Sequence, residues 1–174
     1  MTTVISKLPC LSVILIGLTG CAHNQEEARL LKSPAIAQAD KMKAMQSARI
    51  QTAKQYFKEG KYGSAEQAYR LAIEKDPRNL EAWLGIAAAY DQLKKFDNAN
   101  RAYMIAVKIK GFTPEILNNL GYHYMLRGHY DKARKALVAA NRKQPGNPYI
   151  QNNLNLLAKY EQASLDAKKS KDKL

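Results

Sequence analysis

Residues 46–79, 80–113 and 114–147 can be written above one another without a gap, so the chain carries three copies of a 34-residue unit. A fixed period of this length signals a stack of like supersecondary units, each burying its apolar face only against its neighbours. Ala65, Ala99 and Ala133 share one column, Tyr56, Tyr90 and Tyr124 a second, and Ala72, Ala106 and Ala140 a third. The aromatic residues Tyr62, Phe96 and Tyr130 align, as do the small residues Ala53, Ala87 and Gly121 and the large residues Tyr69, Tyr103 and Leu137. These columns predict a helix, a tight turn and a second helix per unit. The small residues let two helix axes approach, and the aromatic column fills the space beside them. Gly60 and Gly128 fall at the turn, where a positive φ costs glycine little. Lys94 holds that place in the middle unit, which predicts a less favourable turn there. Pro77 and Pro145 close the second helix, because proline cannot continue it.

The pattern resembles the tetratricopeptide repeat, whose consensus sets Trp, Leu, Gly and Tyr on the first helix and Ala, Phe or Tyr, Ala and Pro on the second. Unit two matches best at its start, with Trp83, Ile86, Ala87 and Tyr90. Unit one departs at Arg49 and Thr52, where large apolar residues are usual, and reads as the frayed or capping end. The resemblance implies an all-α fold, a solenoid of three helix-turn-helix repeats closed by a C-terminal capping helix. Asn147-Pro148 is a helix start. Ile150, Leu154 and Leu157 then form one apolar stripe, backed by Gln151, Asn152, Asn153 and Asn155. This sets the capping helix at residues 148–160 and leaves 161–174 as a basic, disordered tail. Residues 21–45 are polar and Ala-rich, interrupted by Pro34. They read as a tether, helical from Asp40 onward.

The first twenty residues hold one basic side chain, Lys7, no acid, and an apolar run from Leu8 to Leu18. That run is about half the ~20 residues a membrane-spanning helix needs, and it suits a cleaved secretory signal. Leu18-Thr19-Gly20-Cys21 resembles the lipobox of bacterial lipoproteins, in which the cysteine is acylated and the chain is cut before it. The resemblance implies lipidation at Cys21, with several acyl chains giving a firm anchor. An ordinary signal with a chance cysteine, or an uncleaved anchor, remains open on the residues alone. Ala22 in place of Asp implies the outer membrane's periplasmic face, by the sorting rule of enterobacterial lipoproteins.

The chain has 28 Lys+Arg against 15 Asp+Glu, a net charge of +13. Removing residues 1–20 takes away only Lys7, leaving 27 basic against 15 acidic side chains. Export makes nucleic acid an unsuitable partner. Anionic lipid, an acidic protein surface or simple solubility all fit such a balance. Cys10 leaves with the signal, so no disulfide or cysteine-based metal site is expected. His23, His123 and His129 form no ligand pair. No Gly-rich phosphate loop follows a strand, and no serine sits in a nucleophile elbow. The expectation is a binding protein without catalytic residues, metal or cofactor.

In the tetratricopeptide family the first helix of each unit lines the binding groove. Carried over by position, the resemblance implies a groove of Glu81, Leu84, Ala88, Asp91 and Gln92 from unit two. Unit three adds Glu115, Asn118, Tyr122 and Met125, and Ile50, Lys54 and Phe57 extend it in unit one. Exposed Tyr, Phe and Met among amides suit an extended or helical peptide. Packing of some of these residues against the tether or tail is the alternative. The Lys/Asn carboxylate clamp of chaperone-binding repeats is missing at these positions.

Two stretches point to a narrower likeness, Glu81-Ala-Trp-Leu-Gly-Ile-Ala-Ala-Ala-Tyr-Asp91 and Thr113-Pro-Glu-Ile-Leu-Asn-Asn-Leu-Gly-Tyr122. With Met125-Leu-Arg-Gly128 and Pro148-Tyr-Ile-Gln-Asn-Asn-Leu154 they resemble the TadD lipoproteins of the tight-adherence (Flp pilus) machinery. The likeness implies an outer-membrane lipoprotein that assists pilus assembly, pilotin-like toward the secretin or another pilus-assembly subunit. A lipidated periplasmic adaptor that recruits cell-wall enzymes is the alternative.

Overall fold

The computed structural model describes residues 34–171. The signal segment, Cys21 and most of the tether lie outside them. The described residues fall into two units, 34–44 and 45–171. Residues 34–44 are helical and solvent-exposed throughout.

Seven helices follow one another, with no strand among the described residues: α1 (Pro34–Lys58), α2 (Tyr62–Lys75), α3 (Leu80–Gln92), α4 (Phe96–Lys110), α5 (Pro114–Leu126), α6 (Tyr130–Lys143) and α7 (Pro148–Lys171). None is long and apolar enough to cross a membrane.

The two kinds of turn repeat with the 34-residue period and use different chemistry. Between units a side chain caps the next helix. Asn79 Oδ1 accepts from the Ala82 N–H at 2.9 Å, and Thr113 Oγ1 from Ile116 at 3.2 Å. Asn147 Oδ1 accepts from Tyr149 at 2.9 Å and Ile150 at 3.3 Å. Such caps satisfy amides that have no partner within the helix. Within units the backbone closes the turn instead. The amides of Lys61, Lys95 and His129 donate to the carbonyls of Tyr56, Tyr90 and Tyr124 at 2.9, 2.8 and 2.9 Å. That closure needs a left-handed residue just before the donor. Gly60 (φ 72°) and Gly128 (φ 71°) supply it, and Lys94 takes the same conformation at φ 58°.

The column residues form the core. Ala53, Ala65, Ala72, Ala87, Ala99, Ala106, Ala133 and Ala140 are fully buried. Space for a side chain is absent at Gly121, where an added Cβ would lie 2.5 Å from Leu137 Cγ. Ile86, Ile116 and Leu120 fill the seams between units, joined by the half-buried Trp83, whose indole N–H donates to the Pro77 carbonyl at 2.9 Å.

Two expectations need correction. The described chain is helical from Pro34, and not only from Asp40 onward. The last helix does not stop at residue 160, and 161–171 are helical. Ile150 and Leu157 are buried against unit three. Tyr160 stacks on Tyr130 with centroids 6.3 Å apart, and Glu161 pairs with Arg134. Beyond that the helix is exposed and touches little. Extending a nucleated helix through Ala, Leu, Lys and Gln costs little, and the Gln162–Asp166 side-chain bonds one turn apart assist it.

Candidate functional site

A cleft of about 270 Å³ lies across the first helices of the three units. Lys54 and Phe57 come from the end of α1, Glu81, Leu84, Gly85 and Ala88 from α3, and Glu115 and Asn119 from α5. The ring of Tyr69, on α2, reaches the floor through a gap that only glycine leaves. A Cβ on Gly85 would fall 2.2 Å from Tyr69 Cζ. Burial, and next the charge of Glu81, push the Tyr69 hydroxyl up to about 12, so it stays a neutral donor at physiological pH. Lys54 pairs with Glu81 across the cleft, both half-exposed. Glu115 is exposed, and no cation pairs with it among the described residues.

Of the expected groove residues, Glu81, Leu84, Ala88 and Glu115 meet here, with Lys54 and Phe57. Others do not. Leu84 itself is only 5 % exposed, so it is floor and not wall. Ile50 is in the core. Gln92 is half-buried and is not among the lining residues. Asn118 accepts from Asn153 Nδ2 of α7 at 2.9 Å. Tyr122 and Met125 pack with Leu137, Leu154 and Leu157 under the same helix. These three positions of unit three are therefore taken by the chain's own capping helix.

Asp91 is buried as well. Its Oδ2 accepts from the Tyr103 hydroxyl at 3.0 Å, and its Oδ1 lies 2.6 Å from His123 Nδ1. Phe96, Tyr103 and Tyr124 surround the imidazole, with ring centroids at 6.2, 5.5 and 5.4 Å. His123 is 0 % exposed and its Nε2 has no partner, so no substrate from solvent can reach this Asp–His pair. It ties three helices together: α3, α4 and α5. Burial first, and Asp91 next, push the Tyr103 hydroxyl well above its ordinary value, which keeps it a donor.

A second polar tie joins units one and two. Glu66 is buried on α2, paired with Arg70 and with Lys95 Nζ at 3.4 Å, and accepts from the Tyr90 hydroxyl at 3.4 Å. Burial pushes its carboxyl up, yet the Arg70 guanidinium and the Lys95 ammonium outweigh that and hold it below the ordinary 4.5.

Sequence reasoning missed Tyr69, Gly85 and Asn119. Gly85 and Asn119 stand one period apart, so one further column faces the cleft beside that of Glu81 and Glu115. The periodicity held that signal; the carried-over positions skipped it.

Family models of the tetratricopeptide repeat match residues 56–104 and 114–147. Solved structures share the fold. The first tetratricopeptide domain of human RPAP3 is 24 % identical with a TM-score of 0.61, covering 70 % of this chain and 96 % of that one. The first such domain of Spaghetti (RPAP3), bound to the HSP90 peptide SRMEEVD, is 26 % identical with a TM-score of 0.58, covering 69 % and 93 %. Pseudomonas aeruginosa PilF is 23 % identical with a TM-score of 0.61, covering 76 % of this chain and 60 % of PilF. No curated protein sequence matches the chain significantly.

Proposed function

We propose that this chain, whose residues 56–104 and 114–147 match tetratricopeptide repeats, serves the cell envelope as a lipid-anchored scaffold that holds a protein segment in its cleft. In this reading Cys21 is acylated and fixes the protein to the periplasmic face of the outer membrane. The repeats then engage the tight-adherence pilus machinery, with the secretin or another pilus-assembly subunit as the bound partner. The observation that carries the binding role is the cleft itself. It has an apolar floor of Phe57, Leu84 and Ala88 with polar groups at its rim, a form suited to a short peptide segment. Spaghetti, which shares this fold, is seen with a peptide bound. The lipobox-like Leu18-Thr19-Gly20-Cys21 supports the anchor, and the likeness of the α3 and α5 motifs to TadD lipoproteins supports the pilus assignment.

The test is capture from solubilised outer membranes. Wild-type protein should retain the secretin, and Phe57→Ala with Asn119→Ala should lose it while keeping its helical circular dichroism. Unchanged capture would remove the cleft from the account. A Cys21→Ser form should leave the membrane fraction; if it stays there, the anchor is wrong.

A further inference from the structure

We infer that the cleft selects a segment carrying a lysine or arginine beside an apolar side chain, and rejects acidic segments. The inference rests on the cleft being a binding site and adds the chemistry of its occupant. The protein as a whole is strongly basic, at +13, yet the cleft is locally acidic. Its charged side chains are Glu81, Glu115 and Lys54, and Lys54 is already spent on Glu81. Glu115 remains as an exposed, unpaired carboxylate at the rim.

The acidic positions are a property of the repeat. Glu81 and Glu115 occupy the same place in successive units, each in the first turn of its helix, so both project from one edge of the cleft. An apolar floor lies beside them, Leu84 and Ala88 with the ring of Phe57. An occupant must therefore offer an apolar side chain to the floor and a cation to Glu115. An acidic segment would set its carboxylate against Glu115, with the remaining lysine held by Glu81. Like charges at such range disfavour association, and opposite charges fix register.

The whole-molecule field makes this testable. At +13, non-specific attraction favours an acidic peptide over a basic one. A preference of the opposite sign can arise only from local groups. Fluorescence anisotropy would use three labelled synthetic peptides: leucine alternating with lysine, leucine alternating with glutamate, and serine alternating with lysine. The leucine–lysine peptide should bind tightest. Glu115→Gln should weaken it about three- to fivefold, the scale of one partly exposed ion pair. Glu115→Lys should shift the preference toward the leucine–glutamate peptide. The serine–lysine peptide should bind weakest of the two basic ones, since it offers nothing to the floor. A wild-type preference for leucine–glutamate, or a Glu115→Lys protein with the wild-type ratio, overturns the inference. If Phe57→Ala with Asn119→Ala still abolishes secretin capture in that event, the cleft stands and only its charge assignment falls.

Discussion

The first helices of units two and three carry the same register, and the structure uses them differently. On α3, Glu81 and Ala88 line an open cleft, Leu84 is its floor, and Asp91 turns into the core. On α5, Glu115 reaches the cleft, but Asn118, Tyr122 and Met125 lie beneath α7. Each pair stands 34 residues apart, so the difference does not come from position within the unit. It comes from what packs next. Unit two is followed by another repeat, which stacks on its seam and leaves the cleft free. Unit three is followed by a single helix with no partner of its own, and that helix buries its Ile150–Leu157 stripe across whatever apolar surface remains. A solenoid's last unit thus exchanges binding surface for closure.

Three variants would break or sharpen this contrast. The largest effect belongs to a chain ending at Gln144. Losing the buried Ile150 and Leu157 and the half-buried Leu154 should cost on the order of 5 kcal/mol, at 1.5–3 kcal/mol for each fully buried aliphatic side chain. Chemical denaturation followed by circular dichroism should show the midpoint fall steeply; a near-unchanged midpoint would mean that α7 does not close unit three. Next is Asp91→Ala. A residue lining the cleft would tolerate alanine, whereas here it strands His123 and Tyr103 in the core, at about 3 kcal/mol. The same denaturation curve decides between these placements. Smallest is Lys94→Gly, at the intra-unit turn where units one and three already use glycine. Relieving the left-handed lysine should raise stability by about 1 kcal/mol, with a higher midpoint and no change in peptide binding. A lower midpoint would show that the Lys94 side chain stabilises the turn in some other way.

Much of the fold was legible in the sequence because a repeat writes its own alignment. The alanine columns were visible, and so were the glycine turns and the Asn147-Pro148 start. The cleft was legible in part. Glu81, Ala88 and Glu115 followed from position on the first helix, but Asn118, Tyr122 and Met125 did not follow, because position gives the face a side chain occupies and not what covers that face. Gly85 and Asn119 were overlooked although they share a column. Tyr69 could not have been found from first helices at all, since it enters from α2 through the space Gly85 leaves empty.

The sequence by itself determined the helix pairs, their turns and the small residues where axes meet, since each depends on neighbours within one 34-residue unit. Only the tertiary structure decided that α7 runs to Lys171 and occupies unit three. It alone decided that Asp91 meets His123 and Tyr103, three residues on three helices. The reason is one of range. Caps, turns and helical faces are set by contacts a few residues apart, whereas the fate of a face depends on the surface that a distant segment brings to it. That surface is encoded far away along the chain, and no local pattern announces where it will land.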